Sequence, residues 1–141
     1  MRTIAQGDYT FETECMGVEM DGSVTLKAWG NGRNYFDALE QAKKVAVRDV
    51  VFKGIQNGKS DCSRVPLVLE ARAQETYEDY FAKFLSDNGE YLQYVNLKDE
   101  KLNQKAKRDK KQARESITMA AVVRVNRLAL KKKLTEDGII K

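Results

Sequence analysis

The stretch "NYFDALEQAKKVAVRDVVFKGI", Asn34 to Ile55, constrains the fold more than any other part of the chain. Its apolar residues cover more than half of a helical circumference. Ala38, Ala42 and Ala46 recur every fourth residue as a ridge of small side chains, with Leu39, Val47 and Val50 beside it. A ridge of alanines lets a helix backbone lie close to a sheet while larger side chains fill the flanks. Asn34 is placed to cap this helix, Asp37 suits its positive end, and Gly54 ends it. The width of the arc predicts burial on a sheet together with contact to a second helix.

Strands for that sheet lie on both sides of the helix. Tyr9 to Met20 alternates partly and changes register past Gly17, which predicts a strand with a bulge there. Asp21-Gly22 follows, and Val24, Leu26 and Ala28 then alternate with Thr25 and Lys27. Asp-Gly between two alternating runs signals a hairpin. "WGNGRN" is expected to link the second strand to the helix. Pro66 in "RVPLVLE" predicts an edge strand or an extended lead-in. Glu75 to Asp87 predicts a second helix, with Tyr77, Tyr80, Phe81, Phe84 and Leu85 on one face and Asn88-Gly89 as its stop. Tyr91 to Leu97 predicts a strand. Ser116 to Asn126 predicts another, with Ile117, Met119, Ala121, Val123 and Val125 on one face. Asn126 then caps a short helix, "RLALKKKLTED", which closes with Gly138 and the apolar pair Ile139-Ile140. The order predicts an α+β fold: a two-layer sandwich with a mostly antiparallel sheet of about four strands and helices on one face. The 141 residues suit one domain, 1–141, with no internal repeat or linker.

The net charge of +4 is local. Lys98 to Glu115 holds eight Lys/Arg against four Asp/Glu, so the rest of the chain is neutral. With only Leu102, Ala106 and Ala113 apolar, 98–115 is expected to be a charged excursion, mobile or loosely helical, between two adjacent strands. Lys101, Lys105, Lys107, Arg108, Lys110 and Lys111 are the candidate partner-binding residues. No aromatic side chain within the run could stack on a base, so a solvated excursion is preferred over a nucleic-acid site.

Chemistry is sparse. The chain has no histidine, which removes the commonest general acid–base group and metal ligand. "GNGRN" lies where phosphate loops occur, but Tyr35 stands where the dinucleotide fingerprint needs a third glycine, so an ordinary turn is expected. Glu75 and Asp79 share a helix face beside Glu70 and Glu78; solvated surface is the simpler reading. Asp49, near the edge of the apolar arc, is expected to pair with Lys53. Cys15 and Cys62 cannot build a four-ligand zinc site alone. In an exported chain they are a candidate disulfide between the first strand and the loop after the long helix. No catalytic residue, cofactor or metal is expected. Met1 to Asp8 is polar, so no signal peptide is visible, and no apolar run is long enough to span a bilayer.

The order of "VTLKAWGNGRN", "DALEQAKKVAVRDVVFKGI" and "AAVVRVNRLALKKKLTEDGII" resembles the N-terminal domain of flagellar assembly protein T and related small lipoprotein-type α/β domains of Gram-negative envelopes. It is also similar to uncharacterised exported proteins of such bacteria. The resemblance runs from about Ser23 onward and rests on spacings and small residues. It implies a periplasmic or envelope location and a non-enzymatic role in assembly or binding to an envelope protein or surface partner. The alternative is a cytoplasmic nucleic-acid-binding domain using 98–114 with Lys131 to Lys133.

Overall fold

The computed structural model describes residues 12–99, 107–108 and 116–140. Strands β1 (Glu14–Val18), β2 (Val24–Gly32), β3 (Asn57–Gly58), β4 (Val95–Asp99), β5 (Lys107–Arg108) and β6 (Ile117–Val125) form one mixed sheet in the order β3-β1-β2-β6-β4, with β5 also beside β6. The helices are α1 (Tyr35–Phe52), α2 (Ala73–Thr76), α3 (Glu78–Phe84) and α4 (Arg127–Glu136), with a short 3-10 turn at Glu90–Gln93. They pack on one face, so the α+β two-layer sandwich stands, with more strands than expected.

The hairpin and its bulge are where alternation put them. β1 and β2 run antiparallel, and the register shifts between Cys15 and Gly17, where Gly17 adopts a φ of 142°. At the sheet centre β2 and β6 pair antiparallel from Val24↔Val125 to Gly32↔Ile117. Leu26, Ala28, Met119, Ala121, Val123 and Val125 are wholly buried and share the face toward α1. The strand expected over Tyr9 to Met20 begins, within the described residues, at Glu14; Tyr9 to Phe11 lie outside them.

"GNGRN" divides differently from the expected link. Gly30, Asn31 and Gly32 belong to β2 and pair with Met119, Thr118 and Ile117. Their purpose is space. A Cβ on Gly30 would lie 2.2 Å from the Ala38 carbonyl oxygen and 2.4 Å from the Ala42 nitrogen. One on Gly32 would lie 2.4 Å from the Ala38 nitrogen. The glycines of β2 therefore complement the alanine ridge of α1, whose Ala38, Ala42 and Ala46 are fully buried. At about 1.5 Å per residue α1 is about 27 Å long, close to the roughly 30 Å of the nine-residue β2. Helix and strand thus match in length as well as in contour. Asn34 caps α1 as expected, its side chain accepting from the Asp37 N–H at 2.8 Å.

"RVPLVLE" is not a strand. The Leu67 and Val68 N–H groups donate to the Val50 and Val51 carbonyls at 3.2 and 2.9 Å. The last carbonyls of a helix have no partner of their own. This segment supplies two donors, and its apolar side chains Leu67 and Val68 are buried beside them.

The helix expected over Glu75 to Asp87 is two short ones broken at Tyr77, whose φ and ψ of −112° and 32° leave the helical region. The aromatic face survives the break. Phe81 meets Phe52 edge-on at 4.7 Å between ring centroids, and Phe84 stacks with Tyr80 and Tyr94 at 5.9 Å each. Asn88, with φ 61°, and Gly89 follow as the stop. The first half of the strand expected over Tyr91 to Leu97 is the 3-10 turn, and pairing starts only at Val95. Asn126 caps α4 by accepting from the Ala129 N–H at 3.1 Å. At the other end Gly138 has φ 81° and Ile139 donates to the Leu134 carbonyl.

Candidate interaction surface

Cys15 and Cys62 are bonded, with their Cα atoms 5.9 Å apart. Cys15 sits on the inward face of β1 opposite Leu26, and Cys62 lies in the loop after α1. Both are almost wholly buried. The bridge joins the sheet edge to that loop beside the short parallel pairing of β1 with β3. No free cysteine remains.

The carboxylates singled out by spacing lie at the surface or in structural pairs. Glu75 pairs with Arg72 at 3.0 Å on exposed surface. Glu70, Ala71, Arg72, Glu75 and Thr76 line an open hollow of about 520 Å³. No group of three or more Cys, Asp or Glu side chains among the described residues is placed to hold a metal ion. Asp49 departs from its expected pairing with Lys53: its carboxylate accepts a 2.6 Å hydrogen bond from the buried Thr13 hydroxyl, tying the entry of β1 to α1.

Two polar networks hold elements together. On the outer sheet face Glu19 accepts from Lys98 at 2.6 Å and from the Thr25 hydroxyl, which holds its carboxyl below the usual range. Between α3 and α4 the Tyr80 hydroxyl donates to Asp137 at 2.6 Å, and Lys133 reaches Asp137 at 3.1 Å and Glu90 at 3.2 Å. The Tyr80 bond, then Lys133, holds the Asp137 carboxyl below its ordinary 3.8. Asp137 and Glu90 hold Lys133 above its ordinary 10.5. A depressed acid contributes stability above its unfolded value and loses it as pH falls through the folded value. A raised lysine contributes below its unfolded value and loses it as pH rises through the folded value. The melting temperature is therefore expected to be level near neutrality and to fall at both extremes. In Asp137→Asn, thermal melts across pH should show a smaller fall on the acid side; an unchanged acid limb would remove Asp137 from the account.

Among the sequence candidates for partner binding, Lys107 and Arg108 are described and Lys101, Lys105, Lys110 and Lys111 lie outside the described residues. Lys107 and Arg108 form β5, paired with Thr118 and Ile117 of β6. They continue the line of β4, whose Asp99 opposes Val122. The edge thus advances eight residues, from Asp99 to Lys107, while β6 advances four, from Val122 to Thr118. The rest of the excursion expected over 98–115 lies outside the described residues. Lys133 of the basic triplet in α4 is engaged by Glu90 and Asp137.

The register brings β5 to an end of the sheet that sequence patterning did not single out. Ile117 lies between Arg108 on one side and Gly32 on the other. Arg33, Tyr35 and Phe36 follow directly. Gly32, the last residue of β2, abuts Asp37 and Ala38, so the first turn of α1 projects beyond the sheet. Phe36 is 72% exposed and Tyr35 43%. Tyr35 lies three residues before Ala38 and falls within the helical apolar arc, so periodicity alone would bury it. Only knowing where the sheet ends reveals it as surface. A second exposed apolar group, Val18, Met20 and Leu128, lies at the opposite end, where the β1–β2 turn meets α4. No helix among the described residues is long and apolar enough to cross a membrane. Compared with family models, curated proteins and solved structures, the chain matches none.

Proposed function

We propose that this chain is a non-catalytic binding or assembly module working in an oxidising compartment, the periplasm or envelope surface of a Gram-negative cell. The observation that carries this reading is the Cys15–Cys62 bridge, which links two buried positions far apart in sequence. Disulfides of this kind persist where thiols are not kept reduced. The α+β frame resembles small envelope domains in its order of parts, and the exposed rings of Tyr35 and Phe36 offer contact area to a partner. The described carboxylates are engaged in structural pairs or spread over open surface, which suits contact better than turnover.

The test is thiol trapping in cells that make the protein. Acid quenching followed by mass-shifting alkylation under denaturing, non-reducing conditions should leave both cysteines unlabelled. Reduction before alkylation should then label two. Two thiols already free at the moment of quenching would overturn the compartment and the reading built on it.

A further inference from the structure

We infer that Met20, at the tip of the β1–β2 hairpin, is a modification site: oxidants of the peroxide class convert its thioether to the sulfoxide while the protein stays folded. Exposure sorts the described methionines into three grades. Met20 is 106% exposed, Met16 40% and Met119 0%. The oxidant must reach the sulfur, so susceptibility follows exposure. Cysteine does not compete. Thiolates are the usual first targets, but Cys15 and Cys62 are bonded to each other and buried, and no free cysteine remains among the described residues. The oxidisable sulfur that stands open to solvent is therefore a thioether, and it is that of Met20. The inference goes beyond the binding-module reading and does not rest on it.

In the step itself a lone pair on the Met20 sulfur attacks one peroxide oxygen and forms the S–O bond. The O–O bond breaks, and after proton transfer the other oxygen leaves as water. Sulfur is oxidised by two electrons and the peroxide is reduced by two. The hairpin tolerates the product, because its turn is held by groups other than the Met20 side chain. The Glu19 N–H donates to the Ser23 carbonyl at 2.7 Å, the Gly22 N–H to the Glu19 carbonyl at 3.0 Å, and the Ser23 N–H to the Asp21 carboxylate at 2.9 Å. Met119 is the contrast. It opposes Gly30 in the central β2–β6 pair, where a sulfoxide oxygen would be a buried acceptor without a partner. Its oxidation must wait for the core to open. The change at Met20 also alters the surface. Val18 and Leu128 are exposed at the same end, and the sulfoxide replaces an apolar tip beside them with a polar one.

The experiment is a time course of the whole disulfide-bonded protein in dilute hydrogen peroxide, quenched with catalase and read by peptide mass spectrometry. Free methionine in the same mixture is the reference, and peptide mapping reads Met20 apart from Met1. Met20 should oxidise within roughly threefold of the free amino acid, Met16 more slowly, and Met119 at least about a hundredfold more slowly than Met20. In strong denaturant the three rates should converge. Protein oxidised at Met20 alone should keep the melting temperature of the untreated protein. Met20→Leu should keep it too and should lose the fast oxygen uptake, which assigns that uptake to this sulfur. A Met20 rate tenfold or more below the free amino acid, or no faster than that of Met119, overturns the inference. So does a melting temperature that falls with Met20 oxidation, because the modification would then be damage to the fold. Any of these results leaves the envelope reading to thiol trapping, since peroxide is added to purified protein and tests no compartment.

Discussion

Gly30→Ala is expected to destabilise the protein by about 3 kcal/mol, more than one added methyl usually costs. The atoms it meets decide the size of the effect. The new Cβ would stand 2.2 Å from the Ala38 carbonyl oxygen, 2.4 Å from the Ala42 nitrogen and 3.0 Å from the Ala42 Cα. All three are backbone, so no side-chain rotation relieves the contact. The helix must lift away from β2 along its first half or the strand must bend. Either movement opens gaps around Leu26, Ala28, Ala38 and Ala42, which are fully buried. A second substitution separates this account from a crowded side-chain pocket. Ala42→Gly removes a side chain and leaves the conflicting atoms in place, so it should fail to rescue Gly30→Ala. Urea unfolding of the single and double variants reads both. A Gly30→Ala midpoint within error of wild type, or full rescue by Ala42→Gly, would show that the helix backbone does not lie against β2.

This contact also marks where the sequence was legible and where it stopped. The alanine ridge of α1 announced a close approach to a sheet, and Asn34, Gly17 and Asn126 marked the cap, the bulge and the start of α4 in the residue types those positions need. In sequence the glycines that receive the ridge read as a link. Gly30 and Gly32 resemble a turn in composition, and their role exists only once α1 has folded back over its own preceding strand. "RVPLVLE" shows the same limit. Its apolar run and proline fit an extended segment, but two N–H groups go to α1 carbonyls instead of a neighbouring strand. Periodicity reported the aromatic face of Tyr77 to Leu85 correctly and missed the break at Tyr77, because a shared face does not require continuous helical hydrogen bonds. The exposed end of α1 was hidden from patterning: Tyr35 and Phe36 stand out only once the register sets Gly32, the last residue of β2, opposite Ile117.

Removing the Cys15–Cys62 bridge is expected to cost about 4 kcal/mol. The cysteines are 47 residues apart in sequence, and closing a loop of that size in the unfolded chain accounts for a loss of this order in the chain-entropy view. The native side adds to it. Among the described residues β3 contributes only two residues to the sheet and is the strand beside β1 on that side, so β1 depends on β2, this short pairing, the Thr13–Asp49 bond and the bridge. The loop around Cys62 is otherwise tied by few hydrogen bonds: the Lys59 N–H donates to the Cys15 carbonyl, the Ser63 carbonyl accepts from the Ile55 N–H, and the Arg64 carbonyl accepts from the Gln56 side chain. A typical domain has a total stability of only ~5–15 kcal/mol, so the loss is a large share of it. Two routes to the unbridged chain should agree: chemical reduction of the wild type, which leaves both sulfurs in place, and Cys15→Ala with Cys62→Ala, which removes them. Reduction isolates the cross-link; the double variant adds a small cavity at two buried positions and should be slightly less stable. The test is the denaturation midpoint of the oxidised, reduced and doubly substituted proteins. Coincident oxidised and reduced midpoints would mean that the sheet edge and the loop hold themselves together, and the bridge would then no longer argue that the fold depends on an oxidising compartment.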